Sequence, residues 1–221
     1  MATVDFLKKI IQMTPVTRDC DHIPVITQSI PQIPDRTTAI FNKGPSPLPI
    51  LIAMANTLKA AGADFGVMAC NSAHHWYDDL IENSDLEMIH IVDAVCEELL
   101  RRDHSIKRVG LLATPGTIGS GFYQTRLTKI GYDCLVPDKI QIEKVYAGIA
   151  YLKASDFNKG YQMLQPAIES FMRQKCSTII LGCTELPLVL DDSEVFLDSN
   201  KALAAACVKK SREIENFSHH P

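Results

Sequence analysis

Apolar residues in this chain fall into short continuous runs separated by longer stretches with helical spacing. Residues 3–13 put Phe6, Leu7, Ile10 and Ile11 on one face, with Thr3 placed to cap a short helix. Val25 and Ile26 start a brief strand, and Pro31 and Pro34 then stiffen a loop that ends at Arg36. A helix over 49–61 closes on Gly62. The run Phe65 to Ala69 reads as a buried strand ending on Cys70, after which Asn71 and Ser72 open a helix. Strands follow at 88–92 and 108–114, with a helix over 93–102 between them. The segment TPGTIGSG reads as a Gly-rich turn before a helix through Lys129. A short strand at 134–136 and helices over 139–153 and 156–174 come next. Ile179 to Gly182 forms a second buried run, ending on Cys183, followed by Thr184 and Glu185. A strand at 195–197 and a helix over 200–214 complete the chain, and the polar tail NFSHHP is expected to fray.

Strands on near-continuous apolar runs, alternating with helices, predict an α/β fold with mostly parallel sheets covered on both faces. Sites in such sheets lie beyond the carboxyl ends of strands, where Cys70, Thr114 and Cys183 all stand. The two strands that end on a thiol suggest a weak duplication, with two similar α/β domains facing one another across a cleft.

At 221 residues and 46% hydrophobic the chain can bury a substantial core. Its net charge of −4 supplies no basic face for nucleic acid, and no segment suits a membrane surface or span. The first residues, MATVDFLKKIIQM, are charged and amphipathic rather than signal-like. Seven scattered cysteines with no CxxC pair argue against zinc ribbons and thioredoxin motifs, and for reduced thiols in the cytoplasm. Cys20, Cys96, Cys134, Cys176 and Cys207 read as small buried hydrophobes. His74 and His75, adjacent on a helix, diverge too far to share a metal, and His74 suits orienting the helix start. Glu185 is either a capping carboxylate or a partner that tunes Cys183. The Gly-rich turn lacks both GxGxxG and a Walker lysine.

A thiol at a helix N-terminus has its thiolate favoured by the exposed N–H groups. Two such thiols facing one carbon could remove a proton on one side and return it on the other. Neighbouring hydroxyl and N–H groups could hold a carboxylate and spread the developing charge.

CNSAH at 70–74 and GCTELPLVL at 182–190 resemble the paired cysteine motifs of the pyridoxal-phosphate-independent aspartate/glutamate racemase family. PQIPDRT, GPSPLP, VGLLATPGT and the segment around Lys153 resemble its aspartate racemase branch, so the likeness covers nearly the whole chain. The resemblance implies a first domain of residues 1–92 plus 198–221 and a second of 93–197, no cofactor or metal, an amino-acid substrate and a homodimer. It implies Cys70 and Cys183 as the two acid/bases, and Asn71, Ser72, Ala73, Thr114, Thr117 and Thr184 around the α-carboxylate and amine. Arg36 and Lys153 would hold the side-chain carboxylate, which favours aspartate because a dicarboxylate needs a second cationic clamp. Ser72 stands where the family usually has Thr. Family members also open with a strand and a GGMGP-type turn, and here Met1 falls inside that motif. A sheet edge is therefore expected to be unpaired and part of the substrate pocket absent. The readings left open are an aspartate racemase, a racemase or related isomerase of broader specificity, a ligand-binding protein without turnover, and a thiol redox sensor.

Overall fold

The computed structural model describes residues 2–102 and 105–218. In chain order the elements are α1 (Ala2–Met13), α2 (Arg36–Ile40), α3 (Leu48–Ala60), β1 (Phe65–Val67), α4 (Tyr77–Glu82), β2 (Glu87–Ile89), α5 (Ile91–Arg102) and β3 (Arg108–Ala113). They continue with α6 (Pro115–Ser120), α7 (Phe122–Lys129), β4 (Asp133–Leu135), α8 (Lys139–Lys153), α9 (Phe157–Arg173), β5 (Thr178–Gly182), β6 (Phe196–Asp198) and α10 (Ser199–Ser218). All the ladders are parallel: β1 pairs with β2, and β4-β3-β5-β6 form a second sheet. The α/β reading with parallel sheets is what the structure shows.

Side-chain alternation along β3 and β5 divides the core. Val109, Leu111, Ala113 and Ile180 face α1, α5, α7 and α10. Leu112, Ile179 and Leu181 face α8 and α9 with Val145, Ile149, Leu164 and Phe171. A third cluster joins α2, α3, α4 and β2 through Ala39, Leu51, Leu80 and Met88. The small sheet lies between two of these clusters, with Phe65 and Val67 toward the first and Met68 and Met88 toward the third. Both sheets are therefore covered, as parallel sheets require.

Several expectations need correction. Val25 and Ile26 start no strand: residues 23–30 form no regular element and join no ladder. TPGTIGSG is not a loop but mostly α6, capped by the Thr114 hydroxyl accepting from Thr117 N–H and stopped by left-handed Gly121 (φ 71°). The residues after Cys70 form a 3₁₀ segment (Asn71–Trp76) before α4, and those after Cys183 reach only the single 3₁₀ turn Leu186–Leu188. Cys96 and Cys207 are buried as expected, but Cys134 and Cys176 are half-buried and Cys20 is exposed. In the tail expected to fray, the helix continues to Ser218, and 219–221 lie outside the described residues. Among those residues β1 has a partner on one side only.

The last strand is locked to the first helix by charge. Lys9 Nζ lies 2.6 Å from the carboxylate of Asp198, which is almost wholly buried. Asp198 Oδ1 also accepts from Asn200 N–H at 2.8 Å, at the start of α10. Breaking a buried pair by removing one partner leaves a desolvated charge behind. Lys9→Met should therefore cost about 3–5 kcal/mol in urea unfolding, and Lys9→Met/Asp198→Asn should recover part of that loss. A single substitution costing under about 1 kcal/mol would show the pair to be energetically idle.

Candidate active site

A cavity of about 810 Å³ opens at the carboxyl ends of β1, β3 and β5. Cys70 and Cys183 both line it, and so do Arg36, Asn71, Ser72, Ala73, Thr114, Lys153 and Thr184. Thr117 is the one expected site residue behind the wall. It is fully buried, and its hydroxyl lies 2.8 Å from that of Ser72.

Register explains the convergence. Ala113 pairs with Gly182 across β3 and β5, so Thr114 and Cys183 leave the sheet side by side. Ser72 comes from the 3₁₀ segment that follows Cys70. Its hydroxyl lies 3.0 Å from Thr114 Oγ1, and Thr114 and Thr117 are 3.1 Å apart. The three hydroxyls form a neutral cluster able to turn O–H groups toward an anion. Gly116 allows α6 to approach α2, since a Cβ there would meet Thr37 Cα at 3.0 Å. That approach carries Arg36, the first residue of α2, to the cavity wall. The Arg36 guanidinium donates to the carbonyls of Pro34 and Ile33 at 3.1 and 3.3 Å. Lys153, at the end of α8, is exposed and close enough to act electrostatically on both Asp35 and Cys183.

The two thiols have different surroundings. Cys183 is 7% exposed, and its S–H donates to Glu185 Oε2 at 3.1 Å, an oxygen that also accepts from the Thr184 hydroxyl at 3.1 Å. Burial first, and the Glu185 carboxylate second, push this thiol well above its ordinary range, against a smaller opposing pull from Lys153. The thiolate expected from a helix N-terminus is thus reversed at Cys183, because a carboxylate and a dry wall outweigh a single short turn. Of the two readings of Glu185, its contact with the thiol supports the tuning partner.

Cys70 is half-buried and extended (φ −159°, ψ 111°). Its carbonyl lies 3.0 Å from His74 Nδ1, and Ile91 N–H donates to His74 Nε2 at 3.2 Å. Nε2 therefore accepts, and Nδ1–H donates to Cys70. Burial pushes His74 down to about 4, so the ring is neutral at neutral pH. Beside it, burial first, and then the cost of placing a positive charge near His74 and Arg126, push His90 down to about 2. The expected orienting role of His74 has a concrete form: it ties the Cys70 carbonyl to the start of α5. The Asn71 side-chain amide is engaged within the protein, with Oδ1 accepting from Tyr123 OH at 2.6 Å and Nδ2 donating to Ser199 Oγ at 3.1 Å. Sequence reasoning passed over Tyr123 and Ser199. The available signal was a serine directly after the strand FLD, where a helix begins.

This is an α/β protein that brings two thiols from opposite halves of its sequence to one cavity. The Asp/Glu/Hydantoin racemase family model matches residues 1–207, and the chain belongs to that family. Membership makes it an isomerase, by class a cofactor-independent amino-acid racemase. The Picrophilus torridus aspartate racemase structure superposes with a TM-score of 0.84 at 30% identity, covering 96% of this chain and 89% of that one. An aspartate racemase homologue from Pyrococcus horikoshii OT3 gives 0.76 at 26% identity, covering 96% and 94%. The broad specificity amino-acid racemase RacX of Bacillus subtilis (strain 168) is 32% identical over 154 residues, which are 68% of this chain and 66% of that protein. Among the described residues no helix is long and apolar enough to cross a membrane.

The Glu185 contact can be tested at the thiol itself. In a Cys70→Ser background, Glu185→Gln removes the charge that holds the Cys183 proton. Alkylation of Cys183 by iodoacetamide near pH 8 should then rise severalfold, with its alkaline midpoint moving to lower pH. An unchanged profile would show that burial alone sets the thiol.

Proposed function

We propose that the chain interconverts L- and D-aspartate by moving a proton between the α-carbon and Cys70 on one face, and Cys183 on the other. The observation that carries this reading is that both thiols line one cavity at strand ends. In one direction the Cys70 thiolate takes the α-proton, and the C–H electron pair moves into the α-carboxylate as an enediolate. Cys183 then gives its S–H proton to the opposite face of the carbon and becomes the thiolate. The reverse reaction exchanges these roles. Glu185 keeps Cys183 protonated until that transfer, since the thiol already donates to it.

The hydroxyls of Ser72, Thr114 and Thr184 are assigned to the substrate carboxylate, where donors aimed at developing charge act most strongly. Thr117 supports Ser72 and Thr114 from behind. Asn71 and Ala73 complete the wall next to Cys70. Arg36 and Lys153, both on the cavity lining, are assigned to the side-chain carboxylate. Two cations at one rim suit a dicarboxylate better than an uncharged amino acid, and the likeness to the Picrophilus torridus aspartate racemase supports the same choice. The family resemblance makes a homodimer the proposed assembly and the cytoplasm the proposed compartment. Seven free thiols are compatible with reducing surroundings.

Binding without turnover is the second reading. The observation that favours it is β1, the strand leading to Cys70, which has a ladder partner on one side only among the described residues.

Incubation with D- or L-aspartate in deuterated water, followed by chiral separation, distinguishes these readings. The expected outcome is deuterium at the α-carbon together with inversion. Cys70→Ser and Cys183→Ser should each lower the rate by about 10²–10⁴-fold. Exchange with another amino acid but not aspartate would sink the substrate assignment, and binding of aspartate without exchange would establish the second reading. Arg36→Leu should raise KM for aspartate by at least about tenfold, the worth of one charge-assisted clamp, with a smaller change in kcat. An unaltered KM would remove Arg36 from the site.

A further inference from the structure

From Asn71 on the cavity wall back to Tyr123 and Ser199, which do not line it, the two thiol strands are joined by side chains that the proton transfer does not use. Asn71, directly after Cys70, is 3% exposed. Ser199 and Tyr123 are fully buried. Ser199 Oγ donates to the carbonyl of Leu181 at 2.7 Å, two residues before Cys183. With its proton committed there, Ser199 can only accept from Asn71, which it does at 3.1 Å from Nδ2. The Asn71 amide is thereby fixed in one orientation, and its oxygen accepts from Tyr123 OH at 2.6 Å. The three hydrogen bonds run in one sense in the order Tyr123, Asn71, Ser199, Leu181, and the Tyr123 hydroxyl also interacts with Ser199 directly.

This is a short path between distant parts of the sequence. Asn71 and Ser199 are 128 residues apart, yet two hydrogen bonds connect the residue after one thiol to the strand that carries the other. Strand pairing places the parts: Leu181 is opposite Asp198, so Ser199 leaves β6 beside the Leu181 carbonyl. Tyr123 reaches the same point from α7. β1 and β5 belong to different sheets, so no backbone ladder sets the distance between their ends.

We infer that Asn71, Tyr123 and Ser199 are positioning residues that set the spacing between the Cys70 and Cys183 thiols. The inference rests on the reading of those two cysteines as opposed acid and base. In a two-thiol transfer the second proton must arrive at the face opposite the first. A displaced partner leaves the first step intact and impairs the second. The intermediate then regains a proton, now from solvent-exchanged Cys70, on the face it lost one from. Loss of spacing therefore has a signature that lost stability or weakened binding lacks: exchange with retention grows at the expense of inversion.

The test uses the full chain with Ser199→Ala, Tyr123→Phe as the milder change, and Ser199→Thr as the variant that keeps a hydroxyl. Circular dichroism and urea unfolding establish that each variant is folded. With L-aspartate in deuterated water, the ratio of deuterated L-aspartate recovered to D-aspartate formed, at low conversion, should rise at least fivefold in Ser199→Ala. A smaller rise is expected in Tyr123→Phe, KM should stay within about twofold, and Ser199→Thr should return toward the parent ratio. A second readout needs no turnover. Dibromobimane, which fluoresces on bridging two neighbouring thiols, should link Cys70 to Cys183 in the parent, as located by peptide mapping. The linking rate should fall at least threefold in folded Ser199→Ala.

If the parent is bridged and responds to Ser199→Ala but turns over no amino acid, the catalytic reading fails while the positioning role stands. If folded Ser199→Ala and Tyr123→Phe keep the parent's ratio and bridging rate, the positioning role is overturned and the catalytic reading is untouched. A parent that is not bridged at Cys70 and Cys183 overturns it as well.

Discussion

The site depends first on the parallel register of β3 against β5. Because Ala113 lies opposite Gly182, the two strands end level, and Thr114 and Cys183 emerge as neighbours at the rim of the cavity. A slip of one residue would do more than misalign them. It would exchange the faces of Ile179, Ile180 and Leu181, which now alternate between two separate cores. The hydrophobic effect therefore fixes a chemical coordinate: burying the right side chains on each face of the sheet determines where the thiol stands. The same register places Ser199 next to Leu181 through β6.

Electrostatics then distinguish positions that the topology makes similar. Cys183 is enclosed and shares a proton with a carboxylate, whereas Cys70 is half-buried with its carbonyl held by a neutral imidazole. The hydroxyls of Ser72, Thr114 and Thr117 bring donors without adding net charge. Positive charge is supplied from the wall by Arg36 and Lys153, residues placed by a short helix start and a helix end. On the proposed reading, neutral donors inside and cations at the margin can take in a ligand with two carboxylates without leaving a desolvated cation beneath it when empty.

What could be read from the residues follows from how local the determining forces are. Continuous apolar runs ending on small polar residues placed β1, β3 and β5 and their functional ends to within two residues, since a strand buried on both faces has no other way to look. The segment after Thr114 was misread because its glycines suggested a turn. Its helix forms because Thr114 caps it and because a bare Cα at position 116 lets α2 pack close, and α2 is remote in sequence. Val25 and Ile26 have strand composition but no neighbouring ladder in the described residues, and strand propensity without a partner decides little. Tyr123 was invisible for the same reason, and Ser199 showed only as a serine at a helix start: their importance lies in meeting Asn71, which only the assembled sheet arranges.

The inequality of the two thiols is consistent with a reaction between mirror images. The two enantiomers of an amino acid have the same free energy, so the equilibrium constant is one, and the two directions must have equal kcat/KM whatever the enzyme's internal preferences. Nothing in that balance requires the acid and the base to be alike. It requires only that the enzyme carrying its proton on Cys183 and the enzyme carrying it on Cys70 both be reached within a catalytic cycle. The Glu185 contact and burial favour the proton on Cys183, so under the proposed mechanism the favoured direction is the one in which Cys183 is the acid and Cys70 the base. Each turnover in that direction leaves the proton on the less favoured thiol. Transfer back through solvent, or turnover of the opposite enantiomer, restores the resting form. A stronger bias would not change the final mixture but would leave more enzyme waiting between turnovers. Lys153, which pulls against burial and Glu185 at Cys183, limits that bias.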